Sequence, residues 1–505
     1  MYEKILIANR GEIAAGILKS CRSLGIKTAC VYSEADWDAL HIKIADEAYC
    51  IGRGSGSKAS YINISEIIDT ALASGADAIH PGWGFLAENH LLARACEDAG
   101  IGFIGPDSTT LEKAGRKILA KELVESIGLP VVPGRAVIND VETLLSEAEK
   151  LGYPVLLKAD TGKGGRFIVR LDSDQAAADA FRRLNREMTI AGETGGIFIE
   201  KYLENAYHIE FPLLADEQGN IVVFPEMNCS LQRRFQKLLV ESPTTVLEPS
   251  LRDSMVEMTI SIARAFDYRG AAGVEYLVDT DGNVYFLEIN PRLPVERGVA
   301  EVLTGVDMLE EQIRISCGEA LEFNTGYLTA RGWAMECRIN AEDPENNFTP
   351  VPGNVVEFSP PGGTGIRVDA GVYSGYEIPI YYDSCIAKVI VNGRSRENAI
   401  RRMASALRQF TVRGVSTTIP FFKNLLCNEY FLDGQVTTDF SQHELFLSLC
   451  KVRDIPDEVA AILAALDIHV RHTKAKRSVS GFKWGSPGPV WGVASRLNLM
   501  NGRNL

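Results

Sequence analysis

Over the first hundred residues, short apolar runs alternate with longer amphipathic ones. Apolar runs at 4–8, 27–32, 77–80 and 102–104 read as strands, and residues 11–24 place Ile13, Ile17, Leu18, Cys21 and Leu24 on one helical face. Short buried strands alternating with helices predict an α/β, doubly wound parallel sheet. The turn after its first strand, Ala8-Asn9-Arg10-Gly11-Glu12, has one glycine where a dinucleotide site needs Gly-x-Gly-x-x-Gly, which argues against NAD or FAD there. A second unit, 115–203, predicts a helix over 117–127, a strand over 154–158, a glycine-rich turn over 160–166, a strand over 167–171 and a helix from Asp174. In that turn Gly164 follows Lys163 and a strand follows the turn, so it is not a Walker A loop. Its glycines can bring backbone N–H groups to phosphate oxygens while Lys158 and Lys163 add charge, though a plain hairpin turn fits equally. Strands return over 331–442 with turns at Pro352-Gly353 and Pro361-Gly362. A helix is predicted over 457–468, and residues 471–505 carry seven Lys or Arg and no acid, as a flexible tail would.

The most informative pattern lies at 273–296. Strands over 274–280 and 283–290 flank Asp281-Gly282, a dipeptide that favours a two-residue type I′ turn. If Thr280 opposes Asn283, Glu275 stands opposite Glu288, and Asn290 is on the same side. Two carboxylates roughly 5 Å apart at an effective dielectric near 20 repel by about 3 kcal/mol, so the arrangement calls for a cation between them, and an oxygen-seeking ion such as Mg2+ fits. Continued in extended form, Arg292, position 294 and Glu296 line up on that side as an anion clamp and a candidate base. The competing reading is an exposed acidic hairpin. The cluster 232–237, Gln-Arg-Arg-Phe-Gln-Lys, can clamp an anion or coat a surface.

Composition narrows the class. The chain has 505 residues, 46% hydrophobic and 23% charged, which predicts several globular domains. No apolar run reaches the roughly 18 residues of a membrane span, and residues 1–8 read as a strand rather than a signal peptide. The ten cysteines show no Cys-x-x-Cys spacing and the seven histidines no metal-ligand spacing, so reduced thiols in a cytoplasmic protein are expected. A net charge of −14 opposes nonspecific nucleic-acid binding, so any anionic substrate must be recruited by local Lys and Arg.

Several motifs, in order, resemble the biotin carboxylases among the ATP-grasp enzymes: Ile-Ala-Asn-Arg-Gly-Glu-Ile-Ala at 7–14, His-Pro-Gly-Trp-Gly-Phe-Leu at 80–86, Glu-Lys-Tyr-Leu-Glu-Asn at 200–205, Cys-Ser-Leu-Gln-Arg-Arg at 229–234, Glu-Cys-Arg-Ile-Asn-Ala-Glu-Asp-Pro at 336–344 and Tyr-Tyr-Asp-Ser at 381–384. The resemblance covers residues 1–445. It implies a Rossmann-like N-terminal domain (1–114), an ATP-grasp hinge and lid (115–203), an ATP-grasp core with a metal site (204–330), a biotin carboxylase C-terminal domain (331–446) and a helical, basic extension (447–505). That extension resembles the free-standing subunit of two-part pyruvate or 2-oxoglutarate carboxylases. The resemblance also implies that Lys117 and Lys158 contact ATP phosphates, Gly164 and Gly165 close over them, Glu200, Lys201 and Leu203 hold adenine, and His208 and Gln232 border the nucleotide. Glu275, Glu288 and Asn290 would hold Mg2+ or Mn2+. Lys237, Arg292, the Val295 backbone and Glu296 would hold bicarbonate, with Glu296 as base, and Arg338 would meet the biotin ureido oxygen. The implied partners are a separate biotin carrier protein and a carboxyltransferase subunit, because no Ala-Met-Lys-Met biotinylation sequence occurs; the implied oligomer is a homodimer. The chain departs from the family pattern at Pro291, Pro294, Arg297, Phe235, Trp83 and the turn Thr161-Gly162-Lys163-Gly164-Gly165. These departures leave a second reading, a nucleotide-binding but catalytically impaired subunit with a scaffold or regulatory role.

Overall fold

The structure, a computed structural model, describes residues 1–52, 60–162, 164–193, 195–323, 326–451 and 465. Lys163, most of the helix expected over 457–468 and the basic tail lie outside the described residues.

Five parallel strands form the N-terminal sheet in the order Glu47–Cys50, Lys27–Tyr32, Lys4–Ile7, Ala78–His80 and Gly102–Phe103. The helix Gly11–Ser23 buries Ile13, Ile17, Leu18 and Cys21, the face expected from the apolar spacing. Two motifs lock together at the carboxyl ends of these strands. Asn9 Nδ2 donates to the carbonyls of Pro81 at 2.6 Å and Trp83 at 2.8 Å. Gly82 has φ +65°, and a Cβ there would come 2.9 Å from Ile13, so this close approach requires glycine.

The second unit contains a four-stranded antiparallel sheet, Val137–Ile138, Ile197–Lys201, Val155–Ala159 and Ile168–Leu171, with the helices Val141–Leu151 and Ala177–Ala191. A ten-stranded sheet then spans the rest of the chain. Its main path runs Val284–Asn290, Gly270–Val278, Tyr207–Ala215, Met227–Asn228, Leu239–Ser242, Trp333–Asn340, Cys385–Gly393 and Ile366–Ala370. The pairing of Leu239–Ser242 with Trp333–Asn340 carries this sheet without interruption past position 330.

The hairpin differs from its expected turn. Strand pairing ends at Val278 opposite Val284, leaving a five-residue loop, 279–283, instead of a two-residue turn. Asp279 explains the longer loop: its carboxylate accepts from the N–H groups of Asp281 at 3.0 Å and Asn283 at 2.8 Å, closing an Asx-type turn that Asp281-Gly282 alone does not dictate. The register is then one residue off until an irregularity between Glu275 and Tyr276 restores it, and Glu275 faces Glu288 as expected. All ten cysteines are free. Among the described residues no helix is long and apolar enough to cross a membrane.

Candidate active site

Three glutamates lie in register on three neighbouring strands: Glu210 opposite Glu275, and Glu275 opposite Glu288. Directly opposed side chains share a face, so the strands assemble a row of carboxylates. Gly273 makes room for the first, since a Cβ there would come 2.0 Å from Glu210 Oε1. Lysines meet the row from either side. Lys237 Nζ pairs with Glu210 and, at 2.7 Å, with Glu275, while Lys117 Nζ pairs with Glu288. His208 Nε2 lies 2.8 Å from the other Glu275 oxygen. Burial acts to raise the Glu275 pKa, but Lys237 and His208 outweigh it and hold the carboxylate well below its ordinary range. Burial likewise disfavours the Lys237 charge, and Cys229, Glu210 and Glu275 reverse the effect, raising its pKa.

Asn290 Nδ2 donates to Glu275 Oε1 at 2.9 Å, and its own Oδ1 accepts from Arg292 Nη2 at 3.2 Å. No group of three or more His, Cys, Asp and Glu suited to a metal occurs among the described residues. Glu275, Glu288 and the Asn290 oxygen are hard oxygen donors of the kind Mg2+ takes, a set too small to close its shell without water or phosphate oxygens.

After Asn290 the chain does not stay extended. Arg292 N–H turns back to the Asn290 carbonyl at 2.8 Å, and a helix, Arg297–Thr304, starts immediately after Glu296. The expected alignment of Arg292, 294 and Glu296 is therefore lost. Pro291 and Pro294 fix φ and lack N–H groups, so the segment cannot prolong the ladder, and Val295, not Pro294, faces the cavity. Arg292 Nε pairs with Glu88 at 2.8 Å. Glu296 is 1% exposed, forms an ion pair with Arg338 and lies 3.9 Å from Lys237 Nζ.

Two cavities meet at the acidic row. One of about 690 Å³ is lined by Lys237, Arg292, Val295, Glu296 and Arg338, with Trp83, Tyr382 and Asp383 farther out. The other, about 360 Å³, is lined by Lys117, Lys158, Glu200, Lys201, Leu203 and Gln232. Gly164, Gly165, His208, Glu275 and Glu288 line both, and Asn290 lines the first. Every described site residue that the family resemblance implied thus borders one or both of these cavities, whereas Pro294 borders neither.

Sequence reasoning missed several charged partners of these residues. Glu200 does not only flank the hinge: its carboxylate bridges Lys158 and the buried Lys121, and these cations outweigh burial to lower its pKa. Glu210 had one signal that could have pointed to it, its parity with His208 in the strand Tyr207–Ala215, but that strand is buried on both faces and does not alternate. Glu88, Lys121, Glu12 and Lys388 carried no such signal, since each meets the site from a distant part of the chain.

Comparison with known families matches residues 1–111 to the biotin carboxylase N-terminal domain, 116–324 to the carbamoyl-phosphate synthase L chain ATP binding domain and 336–443 to the biotin carboxylase C-terminal domain. The chain is 46% identical over 442 residues to biotin carboxylase 1 of Bacillus subtilis, covering 87% of this chain and 98% of that protein. It is 42% identical over 468 residues to the small subunit of Hydrogenobacter thermophilus 2-oxoglutarate carboxylase, covering 92% and 99%. Among solved structures, the biotin carboxylase domain dimer of the same Hydrogenobacter thermophilus enzyme, in complex with MgADP, ADP and bicarbonate, superimposes with a TM-score of 0.87 at 42% identity, covering 90% of this chain and 100% of that one. The Campylobacter jejuni biotin carboxylase in its β,γ-ATP complex gives a TM-score of 0.84 at 38% identity, covering 88% and 99%.

Proposed function

The chain belongs to the biotin carboxylase family, and from that premise we propose that it carboxylates biotin on a carrier protein at the expense of ATP and bicarbonate. A bicarbonate oxygen takes the γ-phosphoryl group and ADP leaves. The resulting carboxyphosphate splits into carbon dioxide and phosphate, the phosphate removes the biotin N1′ proton, and the nitrogen attacks carbon dioxide. Bicarbonate is a poor electrophile, so most of the catalysis is positioning and charge stabilisation.

Lys117 and Lys158 take the phosphates, Gly164 and Gly165 cover them, and Glu200, Lys201 and Leu203 hold the adenine end, with His208 and Gln232 at the border. Glu275, Glu288 and Asn290 would hold Mg2+ or Mn2+, which would neutralise charge on the transferring phosphoryl group. Lys237, Arg292 and the Val295 backbone grip bicarbonate in line with the phosphates, and Glu296 is placed to take its proton. Arg338 stabilises charge that develops on the ureido oxygen only as biotin is deprotonated, the kind of interaction that accelerates a step. The planar fork of Arg suits flat anions better than an ammonium does. The carrier and the carboxyltransferase are separate chains in this reading, the working unit is a homodimer, and the segments 1–114, 115–203, 204–330, 331–446 and 447–505 are its domains and extension.

The observation that carries the reading is the acidic row at the junction of two cavities, one offering lysines for phosphates and the other two arginines beside a buried glutamate. ADP release measured with and without bicarbonate and free biotin tests it. Turnover is expected to need bicarbonate and to rise with biotin, and Glu288→Gln should lower kcat by about 100-fold. Bicarbonate-independent turnover, or nucleotide binding without turnover, would sink it; the latter is what an impaired scaffold predicts.

A further inference from the structure

The loop bearing Arg292, Val295 and Glu296 is held by a residue that the chemistry above does not use. Lys388, on Cys385–Gly393, is 0% exposed and lines neither cavity among the described residues. Its ammonium donates to the Val295 carbonyl at 2.7 Å and pairs with Glu12 Oε1 at 2.7 Å. A buried ammonium is tolerated only when it is paired and hydrogen-bonded, and Lys388 has a carboxylate and a carbonyl as partners.

Both partners are themselves fixed. Trp83 Nε1 donates to Glu12 Oε1 at 3.1 Å. Gly371 lies so near the start of the first helix that a Cβ would come 2.7 Å from the Glu12 nitrogen, which puts the C-terminal sheet in backbone contact with Gly11-Glu12. On the sheet, Lys388 stands directly opposite Arg338 on one neighbouring strand and opposite Asp369 on the other. The Lys388 ammonium therefore ties the Val295 peptide to the helix that carries Glu12, and its backbone pairs with the strand that carries Arg338.

The carbonyl of Val295 and the N–H of Glu296 belong to one planar unit and point in opposite directions. Anchoring the oxygen on Lys388 turns its lone pairs away from an anion held by Arg292 and Lys237, and it fixes where the N–H points. Pro294 supplies no N–H of its own, which makes the orientation of the following peptide matter more.

We propose that Lys388 is a positioning residue for bicarbonate, setting the Val295–Glu296 peptide from behind while its charge is balanced by Glu12. The inference rests on reading the 292–296 loop as the bicarbonate site.

Steady-state ADP release against bicarbonate concentration, on the full chain, tests it. The double variant Glu12→Gln/Lys388→Met removes both charges together. It is expected to keep wild-type MgADP affinity by calorimetry while KM for bicarbonate rises about tenfold or more and kcat falls less. Lys388→Arg and Glu12→Gln each keep a cationic donor at Val295 and should stay within about threefold of the wild-type KM. An unchanged KM in a folded double variant overturns the proposal, and so does a tenfold loss in either single variant. If the double variant does not fold, Glu12→Gln/Lys388→Gln takes its place: its shorter amide cannot keep the 2.7 Å contact to the Val295 carbonyl, so the same rise in KM is expected and an unchanged KM overturns the proposal. Wild-type turnover that ignores bicarbonate would instead refute the functional reading itself, a separate outcome.

Discussion

Glu336 is buried on the strand that carries Arg338, and neither of its carboxylate oxygens has a hydrogen-bond partner. Burial pushes its pKa up to about 8; Lys388 and Arg297 oppose the rise, and Glu12 and Asp369 add to it. The folded protein therefore keeps a proton that the unfolded chain releases near the ordinary 4.5. Its favourable contribution is complete below about 4.5 and is lost as pH rises through about 8. Glu336→Gln should leave the melting temperature near that of the wild type at pH 5 and raise it at pH 9, and equal shifts at both pH values would contradict this. Single residues near the site were legible where they fell within motifs. Arg297 was visible as a departure from the family pattern, but not its burial beside Gly16, where a Cβ would come 3.1 Å from its guanidinium.

At the scale of elements, the glycine-rich turn approaches residues 234–235 through Gly165. Gly165 has φ +73°, and a Cβ there would lie 2.9 Å from both the Arg234 carbonyl and Phe235 Cβ. Arg234 and Phe235 are themselves left-handed, at φ +51° and +62°. A side chain at 165 meets backbone that cannot easily retreat, and its own conformation costs about 1–2 kcal/mol. Gly165→Val should lower biotin-dependent turnover by about tenfold or more through a lid held off the 234–235 turn. Unchanged kcat would show that this contact is not part of closure. The hairpin that carries Glu275 and Glu288 shows how an element can be read correctly for an incomplete reason. Glu275 faces Glu288 because a longer Asp279-capped loop and a bulge cancel each other, and a side chain accepting backbone N–H groups is invisible to a turn-dipeptide rule.

On the scale of the whole molecule, the ten-stranded sheet runs from the hairpin of Glu275 and Glu288 to Ile366–Ala370 and so fixes Arg338 relative to Glu275 through backbone pairing. A rigid scaffold of this kind suits the proposed site, in which Arg292 and Arg338 come from different regions of the chain. The homodimer reading predicts a sedimentation mass near twice 55.3 kDa at micromolar concentration, and a mass of one chain would refute it.

Periodicity and ordered motifs were enough to specify the alternating α/β plan, the shared face of Glu275 and Glu288 and the residues that line the two cavities, because each is carried by a pattern within one strand, helix or motif. Only the folded molecule decided that Glu210 extends the acidic row, that Lys121 shares Glu200 with Lys158, that the chain bends after Asn290 and that Lys388 backs Val295. Those contacts join positions up to 376 residues apart, as between Lys388 and Glu12, and a buried ion pair leaves no periodic trace in either partner's local sequence.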